Sequence, residues 1–70
     1  MKSVLIDALR TGYEGDIARA RANIEVYMTN PAGIGEHPDI IEAIDMELAK
    51  LAEADEKLST LDKYFPLRSI

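Results

Sequence analysis

The sequence predicts an all-α fold: an antiparallel two-helix hairpin of coiled-coil type, with helices over about 3–29 and 38–65. Three observations predict it. The stretch Asn30-Pro31-Ala32-Gly33-Ile34-Gly35-Glu36-His37-Pro38-Asp39 breaks the chain near its middle. Apolar residues recur in threes and fours on both sides of that break, the period of one helix face. The two stripes, read in opposite directions, match residue for residue.

The first helix opens near Ser3, a residue type that caps helices, with Asp7 close to the positive end of the helix dipole. Its stripe is Ile6, Leu9, Tyr13, Ile17, Ala20, Ile24 and Tyr27. Gly12 and Gly15 lie inside this pattern, and each costs about 1 kcal/mol relative to alanine in a helix interior. They are tolerated weak points, a break near Arg10 to Gly15, or part of a small-residue stripe with Ala8 and Ala22 that admits another helix.

Asn30 precedes proline and is pushed out of the helical region, so the first helix stops at about Met28 to Asn30. The connecting loop, 29–37, then reverses the chain. Its structural residues are Asn30, Pro31, Gly33, Ile34, Gly35, His37 and Pro38: the glycines admit positive φ, and Ile34 plugs the end between the helices. Pro38 suits the first position of a new helix, with Glu36, Asp39 and Glu42 complementing its N-terminus. The second stripe reads Ile41, Ile44, Leu48, Leu51, Ala54 or Asp55, Leu58, Leu61 and Phe65. Glu53 and Lys57 add an i, i+4 pair on the wet side. Pro66 ends the helix and leaves 66–70 as a tail.

Antiparallel packing about the corner sets Tyr27 against Ile41, Ile24 against Ile44, Ala20 against Leu48 and Ile17 against Leu51. The series continues with Tyr13 against Ala54 or Asp55, Leu9 against Leu58 and Ile6 against Leu61, so that large side chains meet small ones in several layers. Asp55 is placed to hydrogen-bond the Tyr13 hydroxyl. A two-helix ribbon covers each helix on one side only, leaving Leu5, Val26, Met28, Ile40 and Met46 outside the stripes. A homodimer forming a four-helix bundle, or a larger protein, would bury some of them.

Composition narrows the function. Seventy residues, 1–70, make one small domain with a thin core. With no cysteine there is no disulfide, thiolate nucleophile or Cys-ligated zinc, which suits a reducing cytoplasm. The net charge is −5, and nine carboxylates stand against Lys50, Lys57 and Lys63 between Glu36 and Lys63, a balance that disfavours broad nucleic-acid binding. No stretch is long enough to cross a bilayer, and the apolar run Val4 to Leu9 is interrupted by Asp7 and lacks a cleavage site, so no membrane partner is expected.

No catalytic, cofactor or metal site is assigned. Gly33-x-Gly35 lacks the third glycine and the preceding strand of a dinucleotide loop, and no Gly-Lys-Ser or Gly-Lys-Thr follows it. His37 is the one histidine and Ile34 stands three residues before it, so neither a histidine pair for zinc nor a Glu-x-x-His di-iron motif exists. The carboxylates Glu42, Asp45, Glu53, Asp55 and Glu56 would need burial in a cleft to do acid–base work, and a two-helix ribbon has none. Arg10, Arg19 and Arg21 read as intrahelical partners of Glu14 and Glu25, with phosphate contact as the other use of them.

The corner, followed by Ile40, Glu42-Ala43-Ile44-Asp45 and the run Ala52-Glu53-Ala54-Asp55-Glu56-Lys57-Leu58, resembles small helical-hairpin proteins of large tailed phages and related viruses, among them the short companions of the UvsW recombination helicase. The resemblance covers roughly Tyr13 to Phe65. It implies a non-catalytic viral accessory protein in the host cytoplasm, acting through its helix faces by self-association or by docking on a larger protein. An accessory module of a recombination helicase, touching nucleic acid weakly through Arg10, Arg19 and Arg21, is the alternative it implies.

Overall fold

The computed structural model describes residues 2–30 and 39–66. It is an all-α helical hairpin: α1 spans Lys2–Thr29, α2 spans Ile40–Tyr64, and the two pack along their length in a rod of 49 × 16 × 15 Å. Pro31, Gly33, Ile34, Gly35, His37 and Pro38 of the expected turn, and the tail from Leu67, lie outside the described residues.

α1 runs unbroken through Gly12 and Gly15, and a Cβ built on either meets nothing within 4 Å. Both glycines therefore face open space, and the break expected near Arg10 to Gly15 is absent. Ser3 sits inside the first turn and not ahead of it. At the other end Thr29 Oγ1 donates to the Glu25 carbonyl at 2.8 Å, and Asn30 N donates at 2.8 Å to the Val26 carbonyl, one of the four that the helix itself leaves free.

α2 starts two residues later than the sequence suggests, because Asp39 takes the N-cap. Its backbone is extended (φ −109°, ψ 96°) and its side chain accepts from Glu42 N at 2.9 Å. Phe65 closes the C-terminus, its N–H donating to the Leu61 carbonyl at 2.8 Å.

The residues covered by the partner helix are Ile6, Arg10, Tyr13, Ile17, Ala20, Ile24 and Tyr27 on α1, and Ile40, Ile44, Glu47, Leu51, Ala54, Leu58 and Leu61 on α2, with Asn23 and Ala43 beside them. Steps of four and three alternate without a fault in both helices, which is the 3.5-residue period of a coiled-coil seam. This corrects three positions of the expected core. Leu9 is 47% exposed, Leu48 50% and Ile41 81%, and Arg10, Glu47 and Ile40 stand in the seam instead; Phe65, the last residue of the expected stripe, is 52% exposed beyond the end of α2. The physical reason is phase: a seam fixed at 3.5 residues per turn must continue through the position its neighbours dictate, whatever residue type stands there. Arg10 and Glu47 tolerate that because each finds polar partners there, Asp62 for Arg10 and Asn23 with Lys50 for Glu47.

Asp55 lies exposed outside the seam and makes no hydrogen bond to Tyr13; Lys57 Nζ stands 6.0 Å from the Tyr13 ring centre instead. Among the described residues no large side chain is fully buried, and the most enclosed are Ala20, Ala43, Ala54, Glu47 and Leu61. Such a thin core gives each seam position a large share of the total stability.

Candidate functional site

The seam holds polar groups at two levels. At the first, Asn23 Nδ2 donates to Glu47 Oε1 at 3.0 Å across the helices, and Lys50 Nζ donates to Glu47 Oε2 at 3.1 Å from one turn along α2. Glu47 is only 8% exposed. The Asn23 amide and then the Lys50 ammonium hold its carboxyl below the usual carboxylate range, against the opposing pull of burial. Ala20, at 2% exposure, supplies the room for this group.

At the second level Arg10 leaves its place in the seam to pair with Asp62 on α2, and its Nε is buried with no partner. These cross-helix bonds, with Lys57 over Tyr13, fix the alignment of the two helices to within a turn. A slip of one turn would strand Glu47 and Arg10 against apolar neighbours.

The seam divides the ribbon into two flanks. On one, a groove of about 300 Å³ is lined by Asp16, Arg19, Asn23, Lys50, Glu53 and Lys57, together with Tyr13 and Glu47 at its floor. Asp16, Asn23, Lys50 and Lys57 each stand one residue before a seam position, so this flank alternates acid, base and amide. Within it Glu53 and Lys57 pair at 2.9 Å, which lowers the carboxyl and raises the ammonium. A second hollow of about 470 Å³ continues from Tyr13, Glu53 and Lys57 to Leu61 and Phe65 at the chain-end side of α2.

The other flank is reached by stepping one residue past Ala20, Tyr27, Ile40, Glu47, Ala54 and Leu61 in the seam. It presents Arg21, Met28, Ile41, Leu48, Asp55 and Asp62. Met28 is 66% exposed, Ile41 81% and Leu48 50%, and all three lie in the half of the ribbon nearer the corner. The half toward the chain ends is acidic, with Asp7, Glu14, Asp55 and Asp62. Sequence reasoning placed Ile41 and Leu48 in the core and so missed this patch; an unbroken alternation of fours and threes was the signal that would have found it.

Arg10, Arg19 and Arg21 are not brought together. Arg10 reaches from its seam position to Asp62, Arg19 lines the groove, and Arg21, about 200° further round α1 from Arg19, stands on the opposite flank. Among the described residues the ion pairs are Arg10–Asp62, Lys50–Glu47 and Lys57–Glu53; the expected pairs of arginine with Glu14 and Glu25 are not formed. No group of three His, Cys, Asp or Glu side chains among the described residues is arranged to hold a metal ion, and no helix of the described residues is long and apolar enough to cross a membrane. No protein-family model, curated protein or solved structure matches the chain.

Proposed function

We propose that this chain is a non-catalytic interaction module that works through its helix faces, by self-association or by docking on a larger protein. The observation that carries the reading is the unequal use of its apolar residues. Val4, Leu5, Leu9, Val26, Met28, Ile41, Met46, Leu48, Tyr64 and Phe65 each keep about half or more of their surface in water, while no large side chain of the described residues is fully buried. Apolar surface held open at that cost is characteristic of a binding face. The carboxylates whose ionisation is displaced, Glu47 and Glu53, are both held as anions, the opposite of what a general acid requires.

The likeness of the corner and of the Ala52–Leu58 run to viral helical hairpins supports a small accessory protein working in the host cytoplasm, near recombination or replication machinery. A protein partner fits the separated arginines better than a phosphate backbone does, because a nucleic-acid contact draws on cations gathered on one face.

The test combines light scattering over a wide concentration range with affinity capture from host cells, using the whole chain. The expected result is a concentration-dependent increase in mass, or a captured protein that is lost when exposed apolar residues are replaced. A monomer at every concentration with no such protein would refute the reading, and DNA binding at low salt would redirect it to the arginines.

A further inference from the structure

We infer that the flank bearing Met28, Ile41 and Leu48 is covered by a second copy of this chain, laid antiparallel so that the two corner-side halves overlap. The inference rests on the interaction reading and names its partner.

The first argument is area. The chain exposes 5603 Å², whereas a compact monomer of 7.8 kDa exposes about 4,400 Å². A standard interface removes about 800 Å² from each partner, which would take most of that excess away. Ile41, at 81% exposure, is the most exposed large apolar side chain of the described residues and sits between Met28 and Leu48 on this flank.

The second argument is charge. Each copy carries −5, so a self-contact must keep carboxylates apart. The outer flank is sorted for that: its apolar residues share the half near the corner with two carboxylates, Glu25 and Asp45, set against Arg21, whereas Asp7, Glu14, Asp55 and Asp62 occupy the half near the chain ends. A two-fold axis through the Ile41–Leu48 patch sets apolar against apolar, leaves the Asp45 carboxylates of the two copies as the residual repulsion, and sends the acidic halves in opposite directions. Parallel stacking would place acid on acid. The groove flank offers no equivalent, since Asp16, Arg19, Asn23, Lys50, Glu53 and Lys57 separate Leu9 at one end from Val26 and Met46 at the other. An isologous contact of this kind closes on itself and stops at the dimer.

Sedimentation equilibrium of the whole chain, with and without salt, tests this. The expected result is a monomer–dimer equilibrium that tightens as salt screens the residual repulsion. The double variant Ile41→Glu, Leu48→Glu weakens it at least about a hundredfold with unchanged helical circular dichroism, since both side chains are exposed in the hairpin. Met46→Glu, on the groove side of α2, leaves it intact.

The chain has no cysteine, so single replacements report the arrangement cleanly. Asp45→Cys, between Ile41 and Leu48 along α2, cross-links the dimer on mild oxidation, and Ser59→Cys does not. Association that survives the double variant, or cross-links through Ser59→Cys in preference to Asp45→Cys, overturns the proposal. So does a monomer throughout. In that case a host protein captured by the native chain and lost by the double variant keeps the interaction reading alive, and the absence of one removes both.

Discussion

The two flanks of the seam are made from the same two helices, yet they are built for different surroundings. The groove flank pairs its charges internally: Lys50 with Glu47, Lys57 with Glu53, and Asn23 with Glu47 across the helices. The outer flank leaves Met28, Ile41 and Leu48 in water and its acids without local cations apart from Arg21 and the Arg10–Asp62 pair. The difference teaches that the hairpin is held by the seam and steadied mainly from the groove side, while the outer flank contributes only the Arg10–Asp62 pair to holding the monomer together. A residue type therefore says less about its role here than its phase does.

The strongest way to break that comparison is to make one substitution on both sides of the boundary. Leu51 is half-buried in the seam and Leu48, one turn before it, is 50% exposed on the outer flank. Leu51→Asp is expected to cost about 3 kcal/mol or more, enough to unfold most of a domain this small, because a charge enters the strip that joins the helices. Leu48→Asp is expected to change monomer stability by less than about 0.5 kcal/mol. Urea melts followed by circular dichroism, at concentrations low enough to keep the chain monomeric, measure both. Similar costs for the two would erase the distinction between seam and flank.

The next effect tests the polar level of the seam. Glu47→Ala removes the acceptor of both Asn23 and Lys50 and is expected to cost about 1–2 kcal/mol, part of it from the Asn23 amide left inside the seam. The pH dependence has a definite sign. The folded chain holds the Glu47 carboxyl below its ordinary value, so its contribution is fully present above the unfolded-state value and is lost as pH falls through the folded one. Stability of the native chain should therefore decline as pH falls below about 4, and the Glu47→Ala chain should show a shallower decline. An unchanged slope would mean that the Asn23 and Lys50 bonds do not hold the carboxylate in solution.

How much of this was legible in the sequence depends on the physics that carries each feature. Proline and glycine punctuation, the steps of three and four, and the matching order of the two stripes are local signals, and they give the helices, their lengths and their antiparallel pairing. The phase of the seam is a collective property. At the end of α2 nearest the corner, Ile40 and Ile41 are equally apolar, and at the next level apolarity favours Leu48 over Glu47. Only continuity with Leu51, Ala54, Leu58 and Leu61 decides for Ile40 and Glu47. On α1 the same rule prefers Arg10 to Leu9. The exposed patch was missed for the same reason: Met28 already stood outside the stripes, but apolarity alone assigns Ile41 and Leu48 to the core. The partner of Arg10 was hidden too, because Glu14 stands one turn away in sequence while Asp62 becomes a neighbour only once the helices are aligned.

The smallest effect concerns the glycines of α1, and it separates the surfaces further. Gly12 and Gly15 are helical, face open space and have no neighbour that an added methyl would meet. Alanine at either should stabilise the monomer by about 0.5–1 kcal/mol, through lower backbone entropy in the unfolded chain and better helix propensity. Neither glycine belongs to the outer flank, so the dimer proposed there should keep its affinity in the Gly12→Ala, Gly15→Ala chain while its thermal midpoint rises by several degrees. A chain that gains stability but loses association would move the contact to the small-residue face with Ala8 and Ala22, because a methyl group weakens a helix contact only where two backbones approach closely. Unequal responses of the two glycines would be equally informative: stabilisation at one and loss of association at the other would locate the edge of the buried face to within a single turn of α1.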